Sequence, residues 1–383
     1  IMKRRITVTT GTRSEFGLLR SVLEEISKST KLELFLLVAG MHLSKKYGNT
    51  INEITKEGFK IHGKVAMVPK NDTNYDMAVS LGEGIVGFSK LFKKIKPDLN
   101  LVLGDRDEAF ASSLAAYHMN IPNAHIHGGD KTQAGIDEYT RHAITKISNI
   151  HFAVTQKSKK RIIQMGENPK YVFFTGSPSV DDIAQNKITS KFLLEKKYKL
   201  KFSGNEIILL YHPVTTEHTE SGKEFENIMK AILKLKTHTI CISPNSDVGN
   251  STIFQCIKKY SKYNFIHTFD SIPRSDYLGL LKNCKILLGN SSSGMIEGSY
   301  FPINVINIGI RQKNRESGKN VINMYHPSSN LIYSKIKKIL ESKNNKNFQN
   351  KFIYGKGGTA KKITKTLENI PFTKNLIQKQ INY

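Results

Sequence analysis

The chain reads as an α/β protein built from two alternating halves, with a cleft expected between them. Short aliphatic or β-branched runs of strand length alternate with longer segments whose apolar residues recur every three or four positions. The alternation lapses over the Lys-rich, weakly apolar stretch 183–204 and restarts at Ile207. Four polar motifs each follow an apolar run: Gly104-Asp105-Arg106-Asp107-Glu108, His125-Ile126-His127-Gly128-Gly129-Asp130, Tyr211-His212-Pro213-Val214-Thr215-Thr216 and Gly289-Asn290-Ser291-Ser292-Ser293-Gly294. In open α/β sheets ligands bind beyond the carboxyl ends of strands, so four such ends are expected to assemble one site.

The first half opens with a strand at 6–10, a turn at Gly11 and a helix whose Leu18, Leu19, Val22, Leu23 and Ile26 share a face. Strand, glycine turn and helix in that order open a nucleotide-binding βα unit. A strand follows at 32–39, then a helix at 41–58 with Gly58 just past its end. Next come a strand at 61–68 and a long helix at 76–95, stopped by Pro97. Strands at 98–104 and 121–126 flank an Ala-rich helix at 108–118. Helices at 136–148 and 158–165 then alternate with strands at 151–155 and 171–175, closing at Gly176-Ser177-Pro178. Residues 183–204 read as a linker. In the second half, strands at 207–211, 239–243, 264–269, 285–288 and 304–308 alternate with helices at 222–236, 251–260, 273–283 and 293–300. Helices at 331–342 and 359–368 complete the pattern. The expected domains are 1–182 and 183–368, with a last segment, 369–383, packing back on the first.

Composition narrows the function classes. The 383 residues are 39% hydrophobic and 23% charged, ordinary for a globular protein of two domains. No run approaches the length of a membrane helix, and Lys3-Arg4-Arg5 leads straight into a strand without a secretory pattern. Cys241, Cys256 and Cys284 form no Cys-x-x-Cys pair, so they read as reduced thiols of a cytoplasmic protein. The net charge of +26 would suit a nucleic-acid partner, but the lysines are scattered and no nucleic-acid motif accompanies them. Neither nucleic acid nor membrane is expected as a partner. A positive field would still speed capture of an anionic nucleotide.

The motifs carry the chemistry. Asp105 stands at a strand end, where a carboxylate can serve as acid or base beside a sugar or simply cap the next helix. Asp107 and Glu108 fit the capping role better. His125 and His127 are two apart on an extended segment and so point to opposite sides, which makes them poor joint ligands for one metal; no metal and no cofactor are expected. Asp137 and Glu138 open the next helix, and Arg141, four residues beyond Asp137, could steady that acid or reach a phosphate. His212 places an imidazole at the first strand end of the second half, suited to proton transfer or phosphate contact. The Asn290-Ser291-Ser292-Ser293-Gly294 turn ahead of a helix reads as a diphosphate seat. Glu297 is placed one turn in for a ribose hydroxyl pair, with Arg311 adding positive charge and Arg13 facing the cleft from the other half. From the residues alone, this is a two-domain enzyme that binds a nucleoside diphosphate compound and does acid/base chemistry.

Together, Thr10-Gly11-Thr12-Arg13-Ser14-Glu15-Phe16, Gly104-Asp105-Arg106, Gly135-Ile136-Asp137-Glu138, Arg141-His142-Ala143-Ile144-Thr145-Lys146, His212-Pro213-Val214-Thr215-Thr216, Gly289-Asn290-Ser291-Ser292 and Arg311-Gln312 resemble the UDP-N-acetylglucosamine 2-epimerases. The likeness is to the hydrolysing, sialic-acid-pathway branch and runs from about residue 6 to 320. It implies two Rossmann-like domains of the glycosyltransferase-B type and a UDP-sugar substrate, with UDP and a free sugar as products. By resemblance, a base removes the C2 proton as UDP leaves C1; water then adds to the 2-acetamidoglucal, releasing N-acetylmannosamine. Asp105, Asp137 and His212 match catalytic positions of the family; Ser291, Ser292, Glu297 and Arg311 match UDP-binding ones, and Arg13 a phosphate contact. Arg106, Arg141, Asn290 and Gly294 are further candidate substrate contacts. The commonest family pattern has Glu where this chain has His127, and Asp130 replaces a more usual Glu. Either His127 takes over as the C2 base or the substrate differs. His-Ile-His-Gly-Gly resembles relatives acting on UDP-2,4-diacetamido-2,4,6-trideoxyhexoses en route to legionaminic-type acids. A non-hydrolysing epimerase, a glycosyltransferase of the same fold and a pure binding module are the remaining alternatives. A homodimer or homotetramer is expected.

Overall fold

The computed structural model describes residues 3–133, 135–214, 216, 218–245, 247, 249–342 and 352–382. The chain forms two compact units. One holds the chain up to Asp130, Asp137–Gln185 and everything from Tyr354 onward; the other holds Lys131–Ile136 and Asn186–Ile353.

The first unit carries seven strands: β1 (Arg4–Thr10), β2 (Leu32–Ala39), β3 (Ile61–Val65), β4 (Leu99–Leu103), β5 (Asn123–Ile126), β6 (Ile150–Ala153) and β7 (Val172–Phe174). The second carries six: β8 (Ile207–Leu210), β9 (Thr239–Ile242), β10 (Ile266–Phe269), β11 (Ile286–Gly289), β12 (Asn304–Ile308) and β13 (Val321–Met324). All pairs are parallel. The spatial orders are β3-β2-β1-β4-β5-β6-β7 and β10-β9-β8-β11-β12-β13. Each order reverses beside its first strand, between β1 and β4 and between β8 and β11, and such a switch point opens a crevice at the strand ends. The Gly11, Gly104, Tyr211 and Gly289 motifs occupy these four ends. Helices on both faces explain the continuous apolar runs: every residue of β4 is buried.

Local chemistry sets the helix ends. Thr12 accepts a hydrogen bond from the Glu15 amide (3.2 Å) and starts the helix Arg13–Lys28, which buries Phe16, Leu19, Val22, Leu23 and Ile26. The helix Asn74–Ile95 ends as Lys96 turns left-handed before Pro97.

Several expectations need correction. The helix expected at 41–58 is two 3-10 turns, Gly40–Leu43 and Lys45–Tyr47, and a short helix Ile51–Lys56; Gly40 and Gly48 at positive φ break it. The supposed linker contains the helix Lys191–Tyr198, capped by Ser190 and anchored by the buried Leu194. The strand β13 and the helix Ser179–Ala184 were not foreseen. The return to the first unit begins at Tyr354 rather than near 369, so the helix Thr359–Asn369 belongs there. The buried Asp181 carboxylate accepts from the Thr359 (2.9 Å) and Ala360 (2.8 Å) amides, and Ile363 and Leu367 are fully buried.

Two buried carboxylates titrate in opposite directions. Glu167 accepts from Lys146 Nζ (2.7 Å), His151 Nε2 (3.1 Å) and Lys379 Nζ (2.7 Å), tying the C-terminal segment to the sheet. Burial alone would raise this carboxyl, but the bonds from His151, Lys146 and Lys379 outweigh it and hold it at about 2. Glu15 is fully enclosed beside the first glycine turn, where it accepts from the Gly11 amide (2.5 Å). A side chain on Gly11 or Gly40 would collide with the neighbouring Glu108 carboxyl. Burial first, then the Glu108 charge, push Glu15 up to about 8.

The linkage signs differ accordingly. Glu167, depressed in the fold, stabilises fully above its ordinary 4.5 and loses that contribution as pH falls toward about 2. Glu167→Gln should cost about 2–3 kcal/mol near neutrality and leave the segment after Tyr354 more protease-sensitive; an unchanged cleavage rate would refute the clamp. Glu15, raised in the fold, costs nothing below 4.5 and progressively destabilises as pH rises through about 8. The urea midpoint of Glu15→Gln should therefore fall less between pH 5 and 8 than that of the wild type; parallel curves would show that Glu15 is ordinary.

Candidate active site

In the first unit the site begins at β4. Gly104 turns at φ +79°, and its carbonyl accepts from His125 Nε2 at 2.7 Å. Full burial drives His125 down to about 3, so its ring is neutral packing material that holds β5 against the β4 turn. Asp105 follows at once and receives the Arg141 guanidinium through Nε (2.9 Å) and Nη2 (2.5 Å). Arg141 also binds the Glu138 carboxylate (2.5 Å) and the Asp130 carbonyl (3.2 Å), and is 1% exposed. Burial would lower this guanidinium; the charges of Asp105, Asp130 and Glu138 outweigh it and keep it protonated. Arg141 is thus a buried brace for Asp105. Asp137 stands half-buried in the first turn of the helix Ile136–Ile147.

His127 lies one residue past β5 at φ +71° and is 4% exposed. Its Nδ1 is 3.1 Å from Asp130 Oδ2 and its Nε2 3.0 Å from Ser177 Oγ. As expected, the two histidines of this motif serve different neighbours. Both are buried. A direct role for His127 at a sugar carbon would require one of its two bonds to open. Arg13 pairs with Glu53 (2.7 Å), and Arg106, the N-cap of Asp107–His118, reaches Glu108 (3.1 Å). Glu108 is buried against the glycine turn rather than acting as a surface helix charge.

In the second unit, Asn290 clips β11 to the end of β8. Its Oδ1 accepts from the His212 amide (2.7 Å), and its Nδ2 donates to the His212 carbonyl (2.8 Å). Gly289, at φ +135°, admits no side chain because the Leu210 carbonyl fills that space. The Asn290 side chain is therefore spent on backbone rather than pointed at a ligand. His212 Nδ1 accepts from the Asn245 amide (3.2 Å), which leaves Nε2 to carry the proton in the neutral ring. Arg311 Nη1 (3.4 Å) and Gln312 Nε2 (3.1 Å) converge on the Asn290 carbonyl. Thr215 lies outside the described residues.

The helix expected at 293–300 is a single turn, Ser292–Met295, followed by a 3-10 turn, Glu297–Tyr300. One turn carries little of a helix dipole, so any anion affinity there must come from local N–H and O–H groups. Ser291 caps the turn through the Ser293 amide (3.3 Å). Gly294 serves packing, because a Cβ there would press on Val305. Glu297 is 3% exposed and already accepts from Arg274 Nη1 at 2.7 Å. Arg274 and Tyr277, whose hydroxyl bonds Ser293, flank this loop from the helix Arg274–Asn283. No motif marked them; only a charged residue directly after Pro273 at a helix start could have drawn attention. Asn245 was likewise missed.

Among the described residues, no group of three or more His, Cys, Asp or Glu is placed to hold a metal ion. No helix among them is long and apolar enough to cross a membrane. The three cysteines are free, and burial pushes the Cys284 thiol well up, away from reactivity.

Known proteins share this pattern. The profile of the UDP-N-acetylglucosamine 2-epimerase family matches residues 24–368. The chain is 36% identical over 379 residues to the hydrolysing UDP-N,N'-diacetylbacillosamine 2-epimerase of Legionella pneumophila, covering 99% of each. It is 34% identical to the UDP-N-acetylglucosamine 2-epimerase of Neisseria meningitidis, covering 86% of each. The crystal structure of the Neisseria meningitidis UDP-GlcNAc 2-epimerase bound to UDP-GlcNAc shares the fold, with a TM-score of 0.79 at 20% identity over 95% of this chain and 99% of that one. With its two switch-point sheets, the chain belongs to the UDP-N-acetylglucosamine 2-epimerase family and is an enzyme of its hydrolysing branch.

Proposed function

We propose that the substrate is UDP-N,N'-diacetylbacillosamine, converted with water to UDP and the free, C2-inverted 2,4-diacetamido sugar. The observation that carries this choice is the end-to-end match to the Legionella pneumophila enzyme, 99% of both chains at 36% identity. The 34% identical Neisseria meningitidis relative favours a second reading, UDP-GlcNAc hydrolysed to N-acetylmannosamine.

The geometry supports the following roles. Asp105 and Asp137 are the proton-handling carboxylates. Asp105 is held and oriented by two bonds from Arg141. Such a carboxylate takes the C2 proton while UDP departs from C1; water then adds across the resulting glycal and C2 is reprotonated from the opposite face. His212, with its proton on Nε2, donates to the departing diphosphate. Ser291, Ser292, Arg311 and Arg13 are the groups assigned to UDP, and Glu297 to its ribose, in exchange for or alongside Arg274. Arg106 remains a candidate contact near the sugar.

The test is proton NMR of the enzyme in D₂O with each sugar nucleotide in turn. UDP and a free 2-deuterated diacetamido sugar are expected. Turnover of UDP-GlcNAc alone would overturn the substrate and leave the reaction standing. A UDP-linked epimer, or no turnover of either, would overturn the reaction as well. Asp105→Asn should lower kcat roughly 100- to 10,000-fold while UDP still binds; near-normal turnover would remove Asp105 from the chemistry.

A further inference from the structure

Ser177 sits between β7 and the helix Ser179–Ala184, outside every catalytic or binding motif assigned above, and is fully buried. Its hydroxyl is 3.0 Å from His127 Nε2 and 2.9 Å from Ser179 Oγ. Across the ring, His127 Nδ1 faces Asp130 Oδ2 at 3.1 Å. Asp130 Oδ1 accepts from Ser158 Oγ at 2.8 Å, and Ser158 in turn accepts from Thr155 Oγ1 at 2.9 Å. Asp130 and His127 are 3% and 4% exposed, so the partners of this chain are protein groups rather than bulk water.

The donors and acceptors order themselves. An ionised carboxylate only accepts, so Nδ1 carries the ring proton. In the neutral imidazole Nε2 is then an acceptor, and the Ser177 hydroxyl donates to it. Ser177 Oγ keeps a lone pair toward Ser179, which can donate through its own hydroxyl. We infer that Ser177 is a positioning residue for His127. Serine, imidazole and Asp130 form one hydrogen-bond chain that fixes the ring as its Nδ1–H tautomer in a left-handed backbone conformation that bulky side chains rarely adopt. The chain also accommodates a proton on Nε2. The Ser177 hydroxyl then rotates, accepts from Nε2–H and donates to Ser179 Oγ, so the ring's new donor meets an acceptor.

The serine is itself held from outside its loop. The Ser177 amide donates to the Tyr354 carbonyl (2.9 Å), and Thr359 Oγ1 donates to the Ser177 carbonyl (3.3 Å). Gly176, at φ +85°, lets Tyr354 approach, because a side chain there would crowd the Tyr354 carbonyl. The segment returning to the first unit thus fixes where Ser177 stands, and through it the His127 ring.

An effect on kcat through His127 rests on the reaction proposed above; the tautomer does not. ¹⁵N spectra of the histidines in the substrate-free enzyme should show His127 protonated on Nδ1, with Nε2 as an acceptor. In Asp130→Asn, Ser158 still donates to the side-chain oxygen, which turns the amide NH₂ toward Nδ1. The ring proton should move to Nε2. Ser177→Ala should change the Nε2 shift and lower kcat about tenfold or more with KM near the wild-type value. A wild-type ring protonated on Nε2, or one indifferent to Asp130→Asn, overturns the chain. Wild-type kcat in Ser177→Ala overturns the positioning role. If that variant does not fold, Asp130→Asn still decides the tautomer. If the wild type turns over neither sugar, the proposed reaction fails while the spectra still judge this inference.

Discussion

A guanidinium buried to 1% exposure needs compensation in place, and Arg141 organises the first unit around that demand. It draws Asp105 from the end of β4, Glu138 from its own helix and the Asp130 carbonyl from the loop after β5. Leaving the guanidinium without these acids would strand its charge in the interior, at a cost of roughly 3–5 kcal/mol. The arrangement is more constrained than a surface ion pair, which would be worth little. Three elements remote in sequence are thereby forced to one point, and the candidate proton-handling groups ride on those elements. Asp105 follows β4, His127 lies in the loop that ends at Asp130, and Asp137 opens the helix that carries Arg141.

The second unit joins its two strand ends with amide bonds rather than an ion pair. Asn290 closes a two-bond bridge to the backbone of His212, and Gly289 lets β8 and β11 approach to a distance no side chain would tolerate. Tyr211, directly before His212, donates to the buried Glu224 at 2.5 Å and anchors the same strand end from beneath. Amide clips of this kind are insensitive to pH and salt, whereas the Arg141 cluster depends on carboxylate ionisation. The two units thus hold their strand ends by interactions of different physical kind.

How much of this the sequence discloses follows from the range of the interactions involved. Strand identity and the placement of motifs at strand ends come from local periodicity, and they are readable because a doubly wound parallel sheet repeats one short pattern. Asp105, His212 and Asn290 stand at those ends and were recognisable. Arg141 was recognisable as important, but its partner was not: the i,i+4 neighbour Asp137 looked natural, while Asp105, 36 residues away, holds the guanidinium. Ser177, Arg274 and Asn245 are legible only after folding, since their significance is a contact across loops. The helix expected at 293–300 failed because its small residues fit both a helix and two linked turns. The return at Tyr354 was misplaced for a related reason. The cap on Thr359–Asn369 is Asp181, 178 residues earlier, and nothing near residue 354 announces it.

The net charge of +26 and the acidic cluster act over different distances. Exposed lysines set a surface field felt within a Debye length of about 8 Å at physiological ionic strength, and such a field favours capture of an anionic nucleotide sugar. Inside, the balance reverses. Glu15, Glu108, Asp130, Glu167, Asp181 and Asp182 are buried in the first unit, with the braced Asp105 and Glu138 partly exposed, while among the described residues Arg141 is the one arginine or lysine there sealed to the same degree. A positive surface and a cluster of buried carboxylates thus coexist in one chain. Salt should weaken the first far more than the second, because screening reaches exposed charges and leaves desolvated pairs nearly untouched.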